Sequence, residues 1–250
     1  MRQLKAYYRA LYAAFGPQHW WPGRTPMEVI VGAYLTQNTS WNNVDLALRR
    51  LRKRRALTLK AIRKMSVAEL EDAIRPAGYF REKAARLKTF VEFVDQHFGG
   101  SLKRMFAEPT EKLRQQLLDL NGVGPETAES ILLYAGQHPV FVVDAYARRI
   151  VDRHKILPGS APYDEIRQLF ERALANEVQG FSAMQRRKIS RLLLPDTAHA
   201  PSPMSRAQRS ATSQVFNEAH ALVVAVGKHY CFKSSPDCHN CPLGRFLTKP

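Results

Sequence analysis

Three groups of residues in this chain have types and spacings suited to chemistry. The first is Gly122-Val123-Gly124-Pro125, set between two helix-like stretches. The two glycines are free to take φ > 0 and leave no Cβ in the way of backbone N–H groups. Pro125 suits the first position of a new helix, where its missing N–H is not needed. Free N–H groups at such a helix start attract phosphate. The second is Asp144, which follows Val142-Val143 and precedes AYARRI. It reads as a helix N-cap, worth about 1 kcal/mol, or as a carboxylate placed for acid–base work. The third is Cys231, Cys238 and Cys241, the chain's only cysteines, spaced C-x₆-C-x₂-C. An odd, clustered set suits metal ligation better than disulfides.

The elements that must position these groups are helical. Leu113, Leu117, Leu118 and Leu120 mark one face of a helix that stops at Asn121-Gly122, and Ala128, Ile131, Leu132 and Ala135 carry the next at i, i+3, i+4 spacing. An ordinary αα-hairpin with a glycine turn has the same pattern. A first amphipathic helix carries Leu4, Tyr7, Tyr8, Leu11, Tyr12 and Phe15. The nearly all-apolar stretch from Met27 to Leu35 predicts a buried central helix. Arg49, Arg50, Arg52, Lys53, Arg54 and Arg55 form a basic run that reads first as a solvated helix face. Ser66 and Glu69 make a capping box. Pro76 to Phe80 interrupts the helical pattern. After Asp144, helices are expected over 146–151, 162–174, 181–194 and 215–226. Residues 195–213, rich in Pro, Ser and Ala without an apolar period, read as a surface loop or mobile insertion. No internal repeat is visible.

The formal net charge of +16 and pI near 10.1 make nucleic acid the first candidate partner. No apolar run reaches the roughly eighteen residues a membrane span requires. The first helix lacks the apolar core of a signal peptide. These features predict a soluble intracellular protein, cytoplasmic and nucleoid-associated if bacterial.

LNGVGPETAESILLYA followed by VFVVDAYARRI resembles the helix-hairpin-helix and catalytic-aspartate segment of the endonuclease III (HhH-GPD) superfamily of DNA glycosylases. The resemblance implies an all-α, two-domain fold with a central cleft. Residues 18–138 would form a helical barrel carrying the hairpin at about 113–135. Residues 1–17 with 139–250 would form a second helical domain ending in a cysteine loop at 231–247. It further implies a monomer that acts on damaged double-stranded DNA, with Asp144 catalytic and Gly122, Val123 and Gly124 on the DNA backbone. Gln37 or Asn38 would fill the gap left by an extruded base, and Tyr79 would wedge into the duplex. HWWP and LTQNTSW most resemble the branch that includes 3-methyladenine DNA glycosylases. There Trp20, Trp21 and Trp41 would wall the base pocket; packing of Trp20-Trp21 as a staple on the next helix is the alternative.

Two departures from the family pattern matter. Bifunctional members carry a lysine where this chain has Glu126, and a carboxylate cannot form the imine on which strand cleavage depends. A monofunctional glycosylase is therefore expected, with an alkylated base as the candidate substrate. The alternatives are a glycosylase/AP lyase and a catalytically inactive DNA-binding relative. The cysteine loop resembles that of endonuclease III, which binds a [4Fe–4S] cluster, but Leu247 stands at the fourth cysteine's place. Three thiolates with another ligand, a zinc site completed by His229 or His239, and no metal all stay open.

Overall fold

The computed structural model describes residues 2–177 and 199–247. Among these residues every regular element is helical. The helix expected over 181–194 lies outside them. The chain divides into two compact units, Gly23–His138 and Met1–Pro22 with Pro139–Pro250. No described helix is long and apolar enough to cross a membrane.

Gly23–His138 is built round α2 (Pro26–Thr36), in which every residue from Met27 to Leu35 is buried. Apolar side chains on all faces demand such a place. Its start is fixed by Pro26 at the first turn and by Thr25 Oγ1, which accepts the Glu28 N–H at 3.2 Å. The Glu28 carboxylate, itself buried, is paired with Arg52 of α3 (Trp41–Lys53). Arg49 pairs with Asp45 and Arg54 with Asp72, each at 2.6 Å. Three of the six cations in the basic run thus face a carboxylate of this unit, and one of them, Arg52, reaches the buried Glu28 and not solvent. The short helices α4 (Leu59–Lys64) and α5 (Val67–Ile74) follow, α5 starting at the expected Ser66–Glu69 capping box. The long α6 (Phe80–Phe98) packs against α2, α4 and α5. It is followed by α7 (Leu102–Met105), α8 (Thr110–Leu118) and α9 (Pro125–Ser130). Beyond Ser130 the coil widens into one π-helical turn, Ile131–Ala135, buried throughout, with the Gly136 N–H reaching Ile131 O at 3.0 Å.

The other unit contains α1 (Arg2–Phe15), α10 (Ala145–Arg153), α11 (Tyr163–Leu174) and α12 (Ala211–His229). α12 is buried from Val215 to Gly227 and packs against the other three. Gly227 makes one of these approaches possible, since an added Cβ would collide with the Tyr146 ring of α10. The stretch expected as a mobile insertion is described from residue 199 onward. From 199 to 210 it is irregular, as the missing period predicts, but packed rather than free, and 211–213 already belong to α12. The His199 N–H donates to Gln18 O at 3.1 Å, Ser202 Oγ donates to Trp21 O at 3.0 Å, and Met204 is buried.

Candidate active site and nucleic-acid interface

In the hairpin, α8 and α9 are braced by a buried ion pair, Arg114 Nε to Glu129 Oε1 at 2.5 Å. Of the two turn glycines only Gly122 uses a left-handed conformation, with φ +78; Gly124 is extended at φ −92, ψ 174. Of the freedom that both glycines have, only Gly122 makes use. Val123 is buried and its N–H donates to Leu120 O at 3.1 Å, which closes the turn. Space at the two glycines also differs. An added Cβ at Gly122 would collide with the Arg86 side chain, whereas nothing stands near Gly124. Gly122→Ala should thus cost about 1–3 kcal/mol of stability, measurable by denaturant titration. Gly124→Asp should fold normally and weaken binding to every duplex sequence alike, since phosphate contacts carry no sequence information. Loss confined to particular sequences would count against a phosphate-binding hairpin.

The segment after α2 is tied to this hairpin. Gln37 Nε2 donates to Gly122 O and to Thr127 Oγ1, both at 2.9 Å, while Gln37 Oε1 accepts from Arg86 Nη1 at 2.7 Å. Asn38 is exposed and left-handed, with φ +51. Tyr79 precedes α6, is also left-handed at φ +44, and is 67% exposed. Its neighbour Phe80 is covered by the Arg75 guanidinium at 4.7 Å from the ring centroid. Gln37, Asn38, Tyr79 and the hairpin therefore belong to one unit. Trp41, half-buried at the start of α3, belongs to it as well.

Asp144, Trp20, Trp21 and the cysteines belong to the other unit. The approach to Asp144 is a buried extended segment, Val140 to Val143, without a strand partner among the described residues. Side chains of α11 supply what a sheet would: the Phe141 N–H donates to Glu171 Oε1 at 2.9 Å and the Val143 N–H to Tyr163 Oη at 3.0 Å. Phe141 stacks on Phe170 with ring centroids 4.3 Å apart. Asp144 then caps α10, its Oδ1 accepting the Ala147 N–H at 2.8 Å. Its Oδ2 stands 3.6 Å from Nε2 of the buried His220 on α12. One carboxylate oxygen is thus engaged by the helix while the other faces an imidazole.

Trp20 and Trp21 meet at a centroid distance of 5.1 Å, and Trp20 lies equally close to His199. Trp21 is only 5% exposed. The cysteine loop is anchored on α10: Arg149 Nε donates to Cys231 O at 2.6 Å, and Arg153 Nη1 to Cys231 Sγ at 2.9 Å. The Leu243 N–H points at Cys241 Sγ at 3.4 Å. Burial raises the Cys241 thiol above its ordinary range, with Cys231 and Cys238 adding to the rise, so the three sulfurs feel one another. Among the described residues no three His, Cys, Asp or Glu side chains are arranged to hold a metal ion.

Sequence reasoning passed over His220 and Arg86, and took Lys83 with Ala84 only as part of the loop pattern after Gly78-Tyr79-Phe80, without a role. Lys83 had a visible signal, because it falls on the apolar stripe of α6 with Leu87, Phe90 and Val94, where a cation is out of place. His220 and Arg86 had none, since their partners lie far away in sequence.

The family model of HhH-GPD superfamily base excision DNA repair proteins matches residues 31–176. A Methanocaldococcus jannaschii protein provisionally described as a DNA repair glycosylase is 36% identical over 240 residues, covering 96% of this chain and 93% of its own. The crystal structure of H. pylori 3-methyladenine DNA glycosylase (MagIII) bound to 1,N6-ethenoadenine is 25% identical. It superposes with a TM-score of 0.71 over 91% of this chain and 98% of that one. An endonuclease III–DNA complex, 20% identical, shares the fold with a TM-score of 0.69 over 98% of this chain and 94% of that one.

Proposed function

The chain belongs to the HhH-GPD superfamily of base excision DNA repair proteins, and from that premise we propose that it is a monofunctional DNA glycosylase with Asp144 at its catalytic centre. The observation that carries this reading is the pairing of a helix-capping, half-buried Asp144 with an exposed Glu126 where bifunctional relatives hold their lysine. The similar H. pylori enzyme, bound to an ethenoadenine, favours an alkylated or otherwise enlarged base as substrate.

Hydrolysis of an N-glycosidic bond needs a stabilised cationic sugar and an activated water. A carboxylate beside the anomeric carbon supplies both. Fixed by the Ala147 N–H, Asp144 does not have to reorganise as charge develops. Gly122 and Gly124 hold the phosphate backbone of duplex DNA while Val123, buried with its N–H on Leu120 O, closes the turn between them; Tyr79 enters the stack, and Trp20, Trp21 and Trp41 are the aromatic side chains assigned to the extruded base. Because the Gln37 amide is already engaged by Gly122, Thr127 and Arg86, we assign the gap left by the extruded base to Asn38. Incubation with duplexes bearing different lesions, scored for strand breaks with and without alkali, tests the activity. Failure to release any base from alkylated or oxidised duplexes would leave the inactive DNA-binding relative as the better account.

For the cysteine loop, we propose an iron–sulfur cluster on the chemistry of its three thiols alone, since the described side chains are not arranged as a metal site. Cys231, Cys238 and Cys241 would hold it, and Arg153 and the Leu243 N–H donate toward two of the sulfurs. When bound, the cluster would fix the loop to α10. With three thiolates only, it should be labile. Purified protein should contain iron and sulfide, bleach in air, and bleach more slowly after Leu247→Cys. Zinc without iron in anaerobically isolated protein would overturn this assignment.

A further inference from the structure

α6 carries an ammonium where its neighbours are apolar. Lys83 is 1% exposed, and its Nζ donates to Leu35 O, Thr39 Oγ1 and Ala77 O, each at 2.9 Å. An ammonium has three donors, so all are used. The acceptors come from the end of α2, from the segment after it, and from the turn before α6. Thr39 Oγ1 also donates directly to Ala77 O. The Lys83 backbone N–H donates to Tyr79 O at 3.0 Å. One residue therefore holds Tyr79 and the turn before it, by its backbone at residue 79 and by its side chain at residue 77. The same side chain holds Thr39, next to Asn38.

None of the three acceptors is charged, so this arrangement is an expensive way to fill space. Burial pushes the Lys83 amine down to about 8, with the nearby Arg86 adding to the fall. A methionine would occupy the same volume without desolvating a charge. What the ammonium supplies is a fixed distance between two loops whose tips, Asn38 and Tyr79, both sit in left-handed conformations that only surrounding contacts maintain.

We propose that Lys83 is a positioning residue that locks the segment 36–39 to the turn 77–79, so that Asn38 and Tyr79 enter the duplex as one unit. The proposal rests on the reading of these two residues as the inserted ones. The test uses the full chain and a duplex with a tetrahydrofuran abasic analogue opposite 2-aminopurine, whose fluorescence rises on unstacking. It measures that rise and the affinity ratio over undamaged duplex for Asn38→Ala, Tyr79→Ala and their double variant, in the wild-type and Lys83→Met backgrounds.

In the wild-type background the two substitutions should be interdependent. Lys83→Met should lower the affinity ratio about tenfold, leave undamaged-duplex binding unchanged, and make the two effects independent. Should Lys83→Met fail to fold, Thr39→Val decides by the same readout, because it removes one acceptor and the link to Ala77 O. A retained ratio and retained interdependence in a folded variant overturn the proposal. If Asn38→Ala and Tyr79→Ala themselves change neither signal, the insertion reading falls first and the proposal with it.

Discussion

Asp144→Asn should lower single-turnover excision by about 10²–10⁴-fold, the contribution of a general base, and by more if its charge also stabilises the sugar cation. The fold should survive. Asparagine keeps an oxygen for the Ala147 N–H, which Asp144 Oδ1 now accepts at 2.8 Å, and the extended segment before it is held by Glu171 and Tyr163 rather than by residue 144. Damaged duplex should bind as well as before or more tightly, because an anion near the phosphates has been removed. Excision rates, melting temperature and affinity together check this. A melting temperature that collapses would make Asp144 a cap and nothing more, and excision within a few-fold of wild type would remove it from the chemistry.

The second large effect is qualitative. Borohydride added during turnover should trap no protein–DNA adduct, and released sites should remain as intact abasic strands that break only in alkali. The reason lies in Glu126, exposed in the first turn of α9, where its charge suits the helix dipole but where no amine is available to attack the sugar. Trapping in the wild-type protein would require another nucleophile. Lys228 would be the first to replace: desolvation lowers its amine below the ordinary range, and the charge of Asp144 acts on it in the opposite sense. Glu126→Lys, conversely, tests whether the family position still faces the sugar.

Much of the hairpin was legible because its signals are local. Leucine spacing, a glycine pair and a proline are all written within a short window, and a π-turn after Ser130 changes the coil without changing its buried face. Asp144 was legible by its place after the hairpin, while its cap was legible by the helix that follows. The difference between Gly122 and Gly124 was not, because it lies in one backbone angle and in the approach of Arg86 from α6. Nor was the choice between Gln37 and Asn38 open to local reading. It depends on Gly122 and Thr127, 85 and 90 residues away in sequence. The segment following 199 looked free for want of a period, yet a backbone that lacks periodicity still packs when single contacts such as Ser202 to Trp21 O hold it.

The ion pairs of α3 bear on how this protein will respond to salt. Each phosphate neutralised on binding contributes about −0.9 to the slope of log affinity against log salt concentration, because it releases a condensed counterion. Arginines already facing Asp45, Glu28 and Asp72 have less to give to phosphate, so the total of 38 lysines and arginines overstates the ions released. A slope well short of that figure follows. Raising salt will then weaken scanning of undamaged DNA sooner than it weakens the grip on an extruded base, which depends on stacking and hydrogen bonds.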